Sequence, residues 1–179
     1  MYFLFQCSPK RFDLAGLLES GAHPQAWSVN DHRKLVSPGD RVFFWQTGPE
    51  ARLLAVGHVT SPVYERVSPF GPYCVDVTFD FKIWPPLTRR ADVEQNESLR
   101  KFSPFKGIQG TNFRIGDPLV LAELEKKLAN RLVPLNKASN PGIEESQRLL
   151  DDAIKRAKRE TENKSKNSSR KWIRRHSNG

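Results

Sequence analysis

Cysteine is scarce in this chain: Cys7 and Cys74 are the two in 179 residues. They show no CxxC spacing, which leaves no disulfide framework and no paired thiolate site and points to a reducing cytosol. Long apolar runs are missing as well. No stretch approaches the roughly 20 apolar residues that a bilayer span needs, and "MYFLFQCSPKRFD" has no basic segment before its short apolar one, so no signal peptide is expected. The nucleotide-binding and hydrolytic signatures GxxxxGK[ST], HExxH and GxSxG are absent, and His23, His32, His58 and His176 are scattered. The expectation is a soluble cytoplasmic protein with no cofactor, no resident metal and no membrane partner.

Positive charge is plentiful but unevenly placed. The net charge is +9, yet residues 155–179 hold ten Lys/Arg against two Glu, while residues 1–154 hold 19 against 18. A block of one sign repels itself and commonly serves as an arm for polyanions. Lys155, Arg156, Arg170, Lys171, Arg174 and Arg175 are the candidate phosphate contacts, with Trp172 between them. A merely solubilising terminus is the plainer alternative.

The remaining pattern predicts an α+β domain, a small curled sheet or barrel with flanking helices. "YFLFQ" reads as a buried strand, and "FDLAGLLESG" as a short helix between the cap Asp13 and Gly21. "RVFFWQTG" and "RLLAVGHVTS" read as buried strands, the second with Gly57 at a bulge or close approach. "YCVDVTFDFKIW" alternates, Val75, Val77, Phe79, Phe81 and Ile83 against Asp76, Thr78, Asp80 and Lys82, as a half-exposed antiparallel strand does. "PPLTRRADVEQNES" reads as a polar connection, and "FSPFKGIQGTNFRI" as a loop into a short strand. "GDPLVLAELEKKLANRL" is the strongest helix signal, with Asp117 as cap, Pro118 in the first turn, and Leu121, Leu124, Leu128 and Leu132 at helical spacing. The domain is expected to span 1–135, followed by a linker and helical extension over 136–160 and a basic disordered tail over 161–179.

One enzyme-like pattern exists. Asp80 and Lys82 share a strand face with Asp76, the arrangement of D-x-K nucleases in which the acids hold Mg²⁺ and the Lys orients a water. Alternating charge on the wet face of an antiparallel strand is the simpler explanation.

Several segments, in order, resemble the EVE domain family, a relative of the YTH and PUA-like nucleic-acid-binding barrels. They are "YFLFQCSP", "WSVN", "LVSPGDRVFFWQTG", "AVGHVTSPVY" and "GIQGTNFRI", together covering about residues 1–134. "AWSVNDHRKL" is also similar to the Trp-Ser segment of YTH domains, whose Trp belongs to an aromatic cage for a methylated base. It departs from the commoner EVE pattern after the Trp, lacking the aromatic and the paired Arg-Asn.

The resemblance implies a non-catalytic module that takes an extruded or single-stranded modified base into a cage. Methylated or hydroxymethylated cytosine and methylated adenine are the candidate bases, in DNA or RNA. It further implies a link to modification-dependent restriction and phage defence, any cutting coming from a separate nuclease or NTPase subunit. Such a site needs a π-face, polar atoms for the base edge, and apolar surface for the methyl. Trp27 offers the face, with Ser28 and Asn30 as edge contacts; Trp45, Gln46 and Thr47 could form a wall. Phe70 and Tyr73 are candidates for the second aromatic, Gln109, Gly110 and Thr111 for the rim, and Gln6 and Cys7 for a further rim. Each has a plainer role: Trp27 and Trp45 as core, Asn30 as the cap of a short helix, and Trp84 packed against the barrel.

Overall fold

The computed structural model describes residues 1–21, 25–66, 71–108 and 110–135. The helical extension and basic tail expected beyond Leu135 lie outside these. The strands are β1 (Tyr2–Cys7), β2 (Gln25–Ser28), β3 (Arg41–Gln46), β4 (Arg52–Val59), β5 (Tyr64–Glu65), β6 (Tyr73–Thr88), β7 (Asn112–Arg114) and β8 (Leu132–Pro134). They form one curled sheet in the order β2-β6-β4-β3-β1-β7, with β5 and β8 pairing onto β6. All described pairings are antiparallel except β1 with β3. This is the α+β curled sheet that the patterning implies and the PUA-like architecture that the resemblance implies.

Two apolar clusters sit on opposite faces, because neighbouring residues of one strand alternate between them. Phe3, Phe5, Val42 and Phe44 join one cluster, whereas Leu4, Phe43 and Trp45 join the other. The first is covered by α1 (Leu14–Ser20), which buries Leu14 and Leu18. Asp13 caps α1 by accepting from the Gly16 amide at 3.0 Å, and Gly21 ends it in the left-handed region at φ 71°. The second cluster is covered by α2 (Glu97–Lys101) and α3 (Pro118–Leu128), which bury Leu99, Val120, Leu124 and Leu128. Asp117 caps α3, and Pro118 occupies its first turn. Leu132 does not continue that helix; it begins β8.

Gly57 answers to a close approach between strands. A Cβ there would fall 1.9 Å from the Thr78 carbonyl oxygen, where the β4–β6 register shifts. The same irregularity skips Asp80, with Val56 opposite Phe81 and Gly57 opposite Phe79. The alternation of β6 therefore breaks: Val75, Val77 and Phe79 face the first cluster, whereas Ile83 faces the second.

Three further expectations need correction. Trp27 and Ser28 sit in a strand, and Asn30 and Asp31 open a turn rather than a helix. "PPLT" extends β6, and "RRADV" forms a π-helical turn at Arg89–Val93. Pro85 and Pro86 are tolerated because neither has a ladder partner on β4 or β8. Trp84 is 62 % exposed, its ring 5.5 Å from the Lys82 Nζ, instead of packing against the sheet. No helix among the described residues is long and apolar enough to cross a membrane.

Candidate functional site

Parallel pairing brings the ends of β1 and β3 out at the same edge, Cys7 opposite Gln46. The Thr47 amide and Oγ1 both donate to the Cys7 carbonyl, at 2.8 and 3.1 Å. β2 and the residues Gly107, Ile108, Gly110 and Thr111 complete the lining, and the Thr111 carbonyl accepts from the backbone amide of Gln6 at 3.0 Å. Between these parts lies a cleft of about 990 Å³. Its size suits a nucleotide or another small organic group.

Trp27 forms the apolar wall. It is 7 % exposed, stacked on Phe5 at 6.1 Å, edge-on to Phe44 at 5.1 Å and to Phe12 at 5.4 Å. It is thus both a core residue and a lining residue, as is the half-buried Phe12. Ile108 is 49 % exposed and places an aliphatic chain at the opening. Burial pushes the Cys7 thiol up to about 12, so it lines the cleft as a neutral, weakly polar group.

The charged lining is of one sign. Lys10, Arg11, Arg66 and Arg89 line the cleft, and none of its described lining residues is acidic. Arg89 Nε lies 3.3 Å from Glu94 Oε1, outside hydrogen-bonding geometry. These cations come from three separate stretches, which is why the near-neutral charge of residues 1–154 gave no hint of them. The basic pair Lys10–Arg11, within the turn that follows β1, was the one local signal.

The EVE domain model matches residues 1–117, about two thirds of the chain. The chain belongs to the EVE domain family. Solved structures with the same fold include Rpa0253 from Rhodopseudomonas palustris, with a TM-score of 0.58, 19 % identity and coverage of 72 % of this chain and 92 % of that one. Atu2648 from Agrobacterium tumefaciens follows at 0.57, with 17 % identity over 74 % and 97 %. Human THYN1, solved in complex with DNA containing 5-methylcytosine, matches at 0.52, with 12 % identity over 72 % and 95 %. Among curated proteins, none matches this chain.

Within this EVE domain, Trp27, Ser28, Thr47 and Thr111, all expected at the site, meet around the cleft, with Gln6, Cys7 and Gly110. Trp45 does not: it packs on Phe105 at 4.7 Å in the cluster on the opposite face. Tyr73 lies outside the lining, under the Arg33 guanidinium at 4.1 Å. Asn30 is also outside it, its amide 3.5 Å from Thr111 Oγ1. Phe70 and Gln109, like the six tail cations Lys155, Arg156, Arg170, Lys171, Arg174 and Arg175, lie outside the described residues.

The nuclease trio is dispersed. Asp76 accepts from the Tyr64 hydroxyl at 2.7 Å, Asp80 pairs with His58 Nδ1 at 2.9 Å, and Lys82 reaches Glu19 at 3.4 Å. Among the described residues, no group of three or more His, Cys, Asp or Glu could hold a metal ion.

Proposed function

We propose that this EVE domain is a non-catalytic reader of a modified base, taken from a single strand or extruded from a duplex into the cleft between β1, β2 and the residues Gly107, Ile108, Gly110 and Thr111. The observation that carries the reading is the pairing of an aromatic wall with a lining whose charges are all positive. A base offers a flat apolar face with a methyl group, and its backbone offers phosphates. Trp27 and Phe12 form the corner that receives the ring, and Ile108 contacts the methyl at the mouth. Lys10, Arg66 and Arg89 supply the sequence-independent attraction. The methylcytosine DNA bound by THYN1 supports a methylated cytosine as the first base to try.

The basic segment 155–179 extends the phosphate contacts beyond the domain. A place in modification-dependent restriction or phage defence follows on this reading, any strand cleavage being carried out by a separate nuclease or NTPase subunit. The test is fluorescence anisotropy with short DNA and RNA strands identical but for one base: cytosine, 5-methylcytosine, 5-hydroxymethylcytosine, adenine or N6-methyladenine. A modified member bound at least several-fold more tightly than its parent supports the reading. Equal affinity for every member refutes it.

A further inference from the structure

Three neutral polar side chains in the cleft wall are oriented by hydrogen bonds that they donate to the protein. Gln6 faces the Pro104 carbonyl at 3.2 Å. A carbonyl oxygen offers only lone pairs, so the amide atom turned towards it is the NH₂, and Oε1 points the other way. Gln6 keeps 8 % of its surface, lines the cleft, and makes no other side-chain hydrogen bond among the described residues. With Nε2 turned to Pro104, Oε1 is the polar atom that Gln6 has left to face the cleft it lines. Thr47 gives its single hydroxyl proton to the Cys7 carbonyl at 3.1 Å, and Thr111 gives its own to Asn112 Oδ1 at 3.1 Å. Asn112 Oδ1 is a fixed acceptor because the amide NH₂ of Asn112 donates to the Asp31 carbonyl. What Gln6 Oε1 and Thr47 Oγ1 offer a ligand is lone pairs.

Resting on the base-reading function above, we propose that Gln6 Oε1, assisted by Thr47 Oγ1, selects a base that carries an exocyclic amino group over the counterpart with an oxo group at the same ring position. An amino group presents N–H donors to these acceptors. An oxo group sets a lone pair against a lone pair and leaves both oxygens desolvated and unpaired. Selection of this kind acts on the base edge and is separate from recognition of the methyl group.

Two matched pairs isolate the effect: 5-methylcytosine against thymine, which share the 5-methyl group, and adenine against hypoxanthine. Single strands carrying each, and one carrying cytosine, are titrated against the full chain and its Gln6→Leu, Gln6→Glu and Thr47→Val variants, with thermal unfolding of each protein alongside. The wild type binds the amino member of the preferred pair more tightly. Gln6→Leu reduces that ratio by roughly 5- to 10-fold, partly through tighter binding of the oxo member, which a merely structural role for Gln6 would not produce. Thr47→Val shifts the ratio in the same direction, and Gln6→Glu, which keeps an acceptor, retains the preference. Should Gln6→Leu fail to fold, the other two variants decide. Discrimination of 5-methylcytosine from cytosine without discrimination from thymine overturns the acceptor assignment alone, as does an unchanged ratio in folded Gln6→Leu. Equal binding of all strands, cytosine included, overturns base reading and this selection with it.

Discussion

Trp27 links the stability of the domain to its proposed site, and Trp27→Ala measures that link. The side chain is nearly sealed and touches three rings, those of Phe5, Phe12 and Phe44. A buried indole removes about 150–250 Å² from water, which at about 25 cal/mol/Å² amounts to roughly 4–6 kcal/mol. Alanine recovers a little of this, and β2 relaxes partly into the gap, so the expected loss is about 3–5 kcal/mol. Domains of this size have only about 5–15 kcal/mol to lose. Trp27→Phe keeps an aromatic face and most of the volume and should cost about 1–2 kcal/mol. Urea unfolding followed by far-UV circular dichroism gives both numbers. Binding is then compared on Trp27→Phe, which stays folded, where a smaller π-face should weaken a stacked base by a few-fold. A loss under about 1 kcal/mol in Trp27→Ala would refute the packing argument, since no sealed indole between three rings is so dispensable.

The other expectations are more local. Gly57→Ala should destabilise the domain by about 2–4 kcal/mol in urea titrations, because its methyl would collide with the backbone of β6 rather than a yielding side chain; a neutral effect would mean the two strands separate easily. For Asp92, burial raises the carboxyl pKa, but hydrogen bonds from Arg131 and the Thr88 amide and the nearby Lys127 outweigh it, and the net shift is downward. Its stabilisation is therefore complete above the ordinary aspartate value of 3.8 and lost as pH falls through the lower folded value. Asp92→Asn should cost about 2 kcal/mol at pH 7, and its unfolding midpoint should converge with that of the wild type in strong acid; a constant gap across pH would exclude this pairing as the cause. Deleting 155–179 should weaken modified and unmodified strands by a similar factor and leave their ratio intact. It should also flatten the dependence of log K on log salt by roughly 0.7–0.9 for each phosphate the tail neutralises; an unchanged slope would remove the tail from nucleic-acid binding.

Local signals were legible where a few adjacent residues settle the outcome. Asp13 and Gly21 bound α1, Asp117 and Pro118 start α3, and the run "RVFFWQ" is a buried strand, because caps and apolar runs act within a turn or along one strand. Gly57 was legible for a similar reason, since a lone glycine in a strand marks crowding. β2 was not. Four residues, "QAWS", carry no period of their own, and they become a strand because β6 offers Cys74 to Val77 as partners. The face of Ile83 was also illegible, because the register shift opposite Gly57 arises between two strands and not within one.

By itself the sequence determined the class of fold, the family, most strands and helices, and the separation of a near-neutral domain from a basic terminal segment. Those properties depend on composition and on neighbours along the chain. Only the tertiary structure decided which residues share the cleft. It placed Trp45 on the far face although Thr47 is two residues away, because successive residues of a strand point to opposite sides. It gathered Lys10, Arg11, Arg66 and Arg89 from three separate stretches around one cleft. It also left the side-chain oxygens of Gln6 and Thr47 as acceptors, by directing one amide proton and the hydroxyl proton to the protein. Only the position of the Pro104 and Cys7 carbonyls, reached through pairing distant in sequence, dictates where those protons go.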